Sequence, residues 1–253
     1  MTDCFELLQE PRRPWLDPDA LKARFLERSA ATHPDRFHGA PEAERNAANA
    51  RSAELNAAYN TLRETRDRLF HLLELERGAP SRDIQRIPAG TMDLFVEIGQ
   101  TCRDADAFLA TNPEIESPML RLQRMRQALE WSDRLMGLQR QVNARREAIE
   151  ADLKSMNAAW EATLPPPPSP ERRERLPLEA LEESARAMSY VSRWTSQLQE
   201  RLGHLARGIA AACRRGAARN PWRVSGPESL SEARISSRPG TRHRAGHDMV
   251  VHH

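Results

Sequence analysis

The sequence predicts an all-α fold, in which an N-terminal helical hairpin is followed by a C-terminal antiparallel three-helix bundle and a disordered tail. The 253 residues are rich in Ala, Leu, Glu, Arg and Gln and poor in β-branched residues, a composition that favours helices. Apolar residues also recur at helical spacing, as at Leu55, Ala58, Tyr59 and Leu62, which is typical of a helix that buries one face. Together these observations indicate helices packed on helices.

Residues 1–75 are predicted to form the first helical unit. Asp17 is a suitable N-cap and Pro18 is a favoured first helical residue, so a helix should begin there. Pro34 should end this helix, because proline lacks an N–H and disfavours a helical conformation for the residue before it. Pro41 should begin the next helix, and the two helices can bury their apolar stripes against each other. The predicted helices cover residues 4–8, 18–32 and 41–63, followed by an apolar segment at 69–73.

The remaining chain is predicted to contain a linker, a bundle and a tail. Residues 76–90 hold two prolines and two glycines and are interpreted as a linker. Residues 91–207 are predicted to form the three bundle helices, with a loop at 170–177 before the last one. The long middle helix carries an apolar seam with a 3.5-residue period, formed by Leu122, Met125, Leu129, Val142, Ile149, Leu153, Met156 and Trp160. Residues 208–253 are polar, lack periodicity and are predicted to be disordered.

Charge and cysteine content argue against several other classes of protein. The formal net charge of +2 gives no global field that would attract nucleic acid. There is no apolar run of about twenty residues and no signal-peptide pattern, so we expect a cytoplasmic protein without a membrane span. Cys4, Cys102 and Cys213 lie far apart without a C-x-x-C motif, so neither a disulfide framework nor a zinc site is predicted, and no cofactor is expected. No catalytic triad or phosphate-binding loop is present, which argues against an enzyme.

The tripeptide His33-Pro34-Asp35 is the strongest functional signal in the sequence. It lies between the predicted second and third helices, at the tip of a helix–loop–helix hairpin. A J-domain carries its HPD motif at this position, so residues 1–75 resemble a J-domain. The alternative interpretation is an ordinary helix stop with His33 as the C-cap.

The residues around the tripeptide make the resemblance more specific. The layout as a whole is similar to HscB, a family of J-type co-chaperones of iron–sulfur cluster assembly with a J-domain, a short linker and a three-helix bundle. The match is dense in the first unit and loose in the bundle until the last helix. The matching residues are Cys4-Phe5-Glu6-Leu7-Leu8 for the F-x-L-F opening, Leu16-Asp17, Arg24-Phe25, His33-Pro34-Asp35-Arg36-Phe37 for H-P-D-K/R-F, and Asn56-Ala57 with Thr61-Leu62 for I-N-x-A-x-x-T-L.

This resemblance implies a binding function. A J-domain binds an Hsp70-type ATPase in its ATP state and speeds ATP hydrolysis while a client is delivered, and the client implied here is the iron–sulfur scaffold protein. The residues implied at the Hsp70 contact are His33, Pro34, Asp35, Lys22, Arg24, Arg28 and Arg36. The residues implied at the client contact, on the first and last bundle helices, are Leu94, Phe95, Glu97, Ile98 and Tyr190. The first bundle helix of the family carries an apolar and acidic patch, whereas here Glu97 is the one nearby acid.

Two other functions remain open at the level of the sequence. One is a general J-domain adaptor whose bundle binds a different client. The other is a structural coiled-coil or nucleic-acid-binding protein that uses the long middle helix and the arginine-rich tail, and a steep salt dependence of nucleic-acid binding would favour it. For each residue of the proposed client contact, the competing interpretation is plain core packing.

Overall fold

The computed structural model describes residues 2–79, 90–111, 117–162 and 170–218. Every regular element in these ranges is helical, which confirms the predicted all-α fold. The helices, in chain order, are α1 (Cys4–Leu8), α2 (Pro18–Ala31), α3 (Glu42–Arg63), α4 (Thr65–Arg77), α5 (Met92–Ala110), α6 (Pro118–Ala162), α7 (Pro170–Arg175) and α8 (Leu178–Ala218). A short 3-10 turn, Pro34–Phe37, lies between α2 and α3. In the ranges described, none of these helices carries an apolar stretch sufficient to span a membrane.

The N-terminal unit, α1–α4, is organised by caps and by an aromatic pair. Asp3 accepts hydrogen bonds from two backbone N–H groups at the start of α1, and Asp17 does the same at α2, as its position in the sequence predicts. The rings of Phe25 on α2 and Tyr59 on α3 stack with centroids 4.2 Å apart, so the two long helices of the hairpin are held together. The buried apolar residues of this unit include Phe5, Leu8, Leu16, Leu21, Leu55, Leu62, Leu69 and Leu72.

α4 extends in both directions beyond the apolar segment predicted at 69–73. It ends where Gly78 adopts a left-handed conformation with φ of 69°, which glycine reaches without a steric penalty. Arg68 is buried and donates to the carbonyl oxygens of Pro14 at 2.9 Å and Leu62 at 2.6 Å. These bonds tie α4 to the end of α3 and to the segment between α1 and α2, so α4 completes the unit.

α5, α6 and α8 form the predicted antiparallel three-helix bundle. α8 is central, because both α5 and α6 pack against it. Phe95 meets Tyr190 near the start of both helices, and Asp106 meets Arg201 further along, so α5 and α8 run in the same direction. Arg124, near the start of α6, lies against the end of α5, so α6 runs the opposite way.

The buried face of α6 follows the predicted seam only in the second half of the helix. In the first half, Leu122 and Leu129 are exposed, and Leu135 and Leu138 are buried instead. A stripe with seven-residue spacing does stay buried along much of α6, at Ala128, Leu135, Val142 and Ile149. Leu122 and Leu129 each lie one position after this stripe, about 100° around the helix from it, and therefore face solvent. The seam residues buried as predicted are Val142, Ile149, Leu153 and Trp160, and Met156 packs partly against the core.

Two segments near the end of the chain differ from the sequence-based prediction. The predicted loop at 170–177 contains the helix α7, and α8 continues to Ala218, past its predicted end. α7 is anchored by a buried ion pair between Arg172 and Glu76 of α4, a contact that no local pattern could reveal. The predicted segments that lie outside the described residues are most of the linker (80–89) and most of the disordered tail (219–253).

The N-terminal unit and the bundle contact each other through α4, α6 and α8. The Asn157 side chain accepts the N–H of Trp15 at 3.0 Å and donates to its carbonyl at 2.9 Å. Arg77 at the end of α4 donates to Glu182 of α8 at 2.6 Å. α4 packs along α8, and the buried apolar residues of both units form one core cluster. The two units therefore share a continuous interface.

Candidate functional site

The tripeptide His33-Pro34-Asp35 lies at the exposed tip of the α2–α3 hairpin. Thr32 is the C-cap of α2, so the alternative interpretation of His33 as the C-cap is wrong. His33 is extended, with φ of −61° and ψ of 130°, because the residue before a proline is driven out of the helical region. It instead caps the 3-10 turn, with its Nδ1 accepting the backbone N–H of Asp35 at 3.3 Å.

The side chains of His33 and Asp35 are accessible to a partner. They are 52% and 90% exposed, respectively. His33 Nδ1 lies 3.5 Å from the Asp35 carboxylate, but this nitrogen already accepts the Asp35 N–H and so has no proton to donate to the carboxylate. The Asp35 carboxylate therefore keeps its acceptor positions for donors from another molecule.

The basic residues predicted at the Hsp70 contact are not equivalent. Arg24 forms an ion pair with Glu10, with Nε and Oε1 2.9 Å apart, and it donates through Nη1 to a backbone carbonyl at 2.6 Å. It therefore ties α2 to the end of α1, a role inside the unit. Arg28 is half-buried, whereas Lys22 and Arg36 are exposed. Lys22 and Arg36 are thus the better candidates for a contact with a partner.

A second exposed surface lies where α5 meets α8. Met92, Phe95 and Val96 are 53%, 39% and 57% exposed, and the Phe95 ring meets the Tyr190 ring edge-on with centroids 6.3 Å apart. We call Met92, Phe95, Val96 and Tyr190 the α5/α8 face, in which Tyr190 is half-buried and packs partly against the core but also contacts the exposed Phe95. Exposed apolar side chains that form a contiguous patch commonly mark a binding site. The structure thus brings together Phe95 and Tyr190, two of the residues predicted at the client contact.

The other three residues predicted at the client contact lie elsewhere. Ile98 is only 1% exposed and belongs to the core, so its assignment to a binding surface is corrected. Leu94 is half-buried and packs against the core. Glu97 is exposed, but two residues correspond to about 200° around an α-helix, so Glu97 faces away from the Phe95–Tyr190 contact. The i, i+4 pair Leu94 and Ile98 is therefore the inward stripe of α5.

Two arginines flank the α5/α8 face, and the sequence-based prediction missed both. The Arg193 guanidinium lies 5.6 Å from the centroid of the Tyr190 ring, as helix neighbours three residues apart can. Arg66 of α4 donates through Nε to the Ser189 hydroxyl at 3.2 Å. Helical spacing from Tyr190 could have identified Arg193. Arg66 belongs to the N-terminal unit, and only the packing of α4 on α8 brings it to this surface.

The described ranges offer little for metal binding. Among those residues, no group of three His, Cys, Asp or Glu side chains could hold a metal ion. Cys4 and Cys102 are free thiols, and burial raises the pKa of both. A raised thiol pKa disfavours the thiolate, which is the form that binds metals and reacts.

The arrangement of helices is similar to that seen in HscB proteins. It matches the crystal structure of the human co-chaperone protein HscB with a TM-score of 0.49 and 19% sequence identity, over 80% of this chain and 81% of that one. It matches the chaperone HscB from Vibrio cholerae with a TM-score of 0.41 and 21% identity, over 78% of this chain and 99% of that one. No family model matches the sequence.

Proposed function

We propose that this protein is a J-domain co-chaperone that stimulates the ATPase of an Hsp70-type chaperone and delivers a client to it. The observation that carries the proposal is the position of the His33-Pro34-Asp35 tripeptide at the tip of the α2–α3 hairpin, with both ionisable side chains exposed. The sequence resemblance to a J-domain extends over the whole N-terminal unit and supports the same function.

Each residue of the tripeptide has a distinct physical role in this proposal. Asp35 accepts charge-assisted hydrogen bonds from an arginine of the chaperone. Pro34 restricts the backbone and so lowers the entropic cost of docking. His33 holds the turn by accepting the Asp35 N–H. Lys22, exposed on α2, adds positive charge that steers the hairpin towards an acidic groove.

The proposed client site is the α5/α8 face, on the bundle. α4 packs along α8, and Asn157 bonds to the Trp15 backbone, so the bundle is held to the unit that carries the tripeptide. A client bound at this face is therefore carried with the tripeptide to the same chaperone molecule. This arrangement couples delivery of the client to ATP hydrolysis.

We propose the iron–sulfur scaffold protein as the client, because the sequence pattern resembles that of HscB. A J-domain adaptor with a different client is the second candidate, and one observation favours it. Glu97 faces away from Tyr190, and the α5/α8 face is flanked by Arg193 and Arg66. The corresponding patch in the resembled family is apolar and acidic.

Single-turnover ATP hydrolysis by the Hsp70-type chaperone of the same organism tests the proposal. The wild-type protein should accelerate hydrolysis, and Asp35→Asn and His33→Gln should each reduce the rate to the basal value while circular dichroism stays unchanged. Asp19→Asn, which alters an exposed carboxylate at the opposite end of α2, should retain full stimulation. If stimulation survives both changes in the tripeptide, the J-domain assignment is wrong.

A further inference from the structure

We infer that the client docks through an acidic segment, whose carboxylates bind Arg193 and Arg66 while an apolar side chain packs on the α5/α8 face. This inference rests on the proposed function of that face as the client site, and it names the chemistry of the segment that binds there.

The surface in question is a continuous strip that crosses α8 between α4 and α5. Ser189, Tyr190 and Arg193 lie close to one helical turn of each other on α8. Ser189 accepts a hydrogen bond from Arg66 of α4 at 3.2 Å, and Tyr190 contacts Phe95 of α5. The strip therefore runs from the N-terminal unit across α8 to the bundle helix α5, and a bound segment would touch both units.

The charges along this strip are positive and remain able to bind a partner. Arg193 is exposed and lies over the Tyr190 ring, which attracts the cation without neutralising it. The Arg66 side chain is 47% exposed, and its ion pair with Asp67 spans 3.7 Å, too long for a hydrogen bond. Its bond to Ser189 uses Nε, so a partner carboxylate would bind its terminal nitrogens, of which Nη1 lies beside Asp67.

The acids of the neighbouring helix surfaces do not cancel this charge. Asp93 and Glu97 of α5 are exposed, and each lies about 200° around the helix from Phe95 in one direction or the other. Asp93 borders the face only at Val96, three residues on, on the side of α5 away from the Phe95–Tyr190 contact. Glu183 is exposed on α8, but it precedes Tyr190 by seven residues, which is about 10 Å along the helix axis. Asp67 is the closest acid, 3.7 Å from Arg66 Nη1, and it offsets part of the Arg66 charge, so the positive charge of the strip comes mainly from Arg193.

An apolar patch with two flanking guanidinium groups fits a segment of the opposite charge. Arginine presents a planar fork of donors that binds a carboxylate in a bidentate manner. A leucine or phenylalanine of the partner would pack on Phe95 and Tyr190, with an Asp or Glu on either side. A lysine-rich segment would meet like charges at both flanks and would bind more weakly.

Three synthetic helical peptides provide the test. All three carry the same Leu and Phe residues at positions i, i+3 and i+7. The remaining positions are Glu in the first peptide, Gln in the second and Lys in the third. Their binding to the full-length wild-type protein is measured by fluorescence anisotropy at low salt. The glutamate peptide should bind at least about fivefold more tightly than the glutamine peptide, a gain that exposed ion pairs can supply. The lysine peptide should bind most weakly, and added salt should reduce the differences.

Charge-reversal variants connect the preference to the two arginines. Arg193→Glu and Arg66→Glu should each remove the advantage of the glutamate peptide, and Arg193→Gln and Arg66→Gln serve in case a reversal disturbs folding. Arg126→Glu is the matched control, because Arg126 is exposed on α6 at the opposite end of the bundle, and it should keep the wild-type preference.

Three outcomes would overturn the inference: equal binding of the lysine and glutamate peptides, an unchanged preference after neutralising Arg193 and Arg66, or no binding of any peptide. Stimulation of the chaperone ATPase is measured in parallel and depends on the tripeptide rather than on these arginines. If the wild-type protein did not stimulate the ATPase, the proposed function would be wrong. A failure of the peptide test with normal stimulation would contradict only the present inference.

Discussion

Glu76 on α4 and Arg172 on α7 form a bidentate ion pair in the interior of the protein. The Glu76 carboxylate accepts Nε–H at 2.9 Å and Nη2–H at 3.0 Å, and the two side chains are 1% and 6% exposed. α7 has only six residues, too few for a helix to be stable alone in water. The helical conformation of α7 therefore depends on contacts with the rest of the protein. This ion pair is one of them, and it joins α7 to the N-terminal unit.

Replacing Arg172 should destabilise the protein strongly. Arg172→Met leaves the Glu76 carboxylate buried without this cation, a change that costs about 3–5 kcal/mol at buried pairs. Urea unfolding should show the loss, whereas Arg173→Met at the exposed neighbouring position should change the free energy of unfolding by less than about 0.5 kcal/mol. The double variant Arg172→Met/Glu76→Leu should recover most of the stability, because it leaves neither charge of the pair in the interior. If Arg172→Met had the same free energy of unfolding as the wild type, the pair would not be buried in solution.

The sequence predicts helices well where local chemistry defines them. Asp17 and Pro18 mark the start of α2, and Pro34 follows its end, because capping and proline geometry act within a few residues. α7 could not be predicted in this way, since its anchor Arg172 contacts Glu76, 96 residues away in the chain. The shift of the seam on α6 was missed for a related reason: the period indicates a helix, but the neighbouring helices decide which of several overlapping stripes is buried.

The same distinction applies to the candidate sites. The tripeptide at 33–35 could be placed at the hairpin tip because it is a local feature between two periodic segments. At the predicted client contact, Phe95 and Ile98 are three residues apart, so helical spacing alone did not separate the exposed residue from the core residue. Arg66 reaches Ser189 only through the packing of α4 on α8, which no sequence pattern of either helix contains.

Acid should weaken the N-terminal unit through His71. The Cys4 N–H donates to His71 Nε2 at 3.1 Å, and the ring stacks with Phe5. Burial lowers the pKa of His71 from its ordinary value of 6.5, because the charged form is poorly solvated inside the protein. The unfolded chain therefore takes up this proton at a higher pH than the folded protein. The stabilisation is fully present above pH 6.5 and is lost as the pH falls through the lower folded pKa.

The variant His71→Gln isolates this contribution, because it keeps a hydrogen-bond acceptor and removes the titration. The free energy of unfolding, measured from about pH 7.5 to about pH 5, should fall more steeply for the wild type than for His71→Gln. His38→Gln, at an exposed histidine, should follow the wild-type curve. Parallel curves for wild type and His71→Gln would show that His71 does not couple pH to stability.

Truncating the α5/α8 face should weaken binding of the proposed client without unfolding the protein. Phe95→Ala and Tyr190→Ala remove the aromatic pair and should weaken binding to an iron–sulfur scaffold protein by about tenfold or more, as for interface anchors. Leu129→Ala, at an exposed position on α6, should alter neither binding nor stability. Ile98→Ala, at a core position, should lower the free energy of unfolding by about 2–5 kcal/mol. A loss of that size in Phe95→Ala would place Phe95 in the core and remove it from the proposed client site.

The contacts between the two units predict that the halves of the chain assemble without a covalent link. The sequence alone predicts separable units at 1–75 and 91–207. The structure packs α4 along α8, and the Asn157 amide satisfies both the N–H and the carbonyl of Trp15. The Lys154 ammonium lies 4.7 Å from the centroid of the Trp15 ring and adds a cation–π contact at the same junction.

Residues 1–79 and 90–253, expressed as two chains with an affinity tag on one, should therefore co-purify. Asn157→Ala should weaken their association, because it removes the partner of the Trp15 N–H and carbonyl. Both groups are only partly buried, so each should cost less than the roughly 1–3 kcal/mol of a fully buried group. Asn143→Ala, at an exposed amide on the same helix, should not weaken the association. If co-purification decreases in Asn157→Ala but not in Asn143→Ala, the association depends on this junction rather than on non-specific association of two helical fragments. Chains that elute separately at micromolar concentration would instead show that the units are independent, which would contradict the proposed coupling between client delivery and ATP hydrolysis.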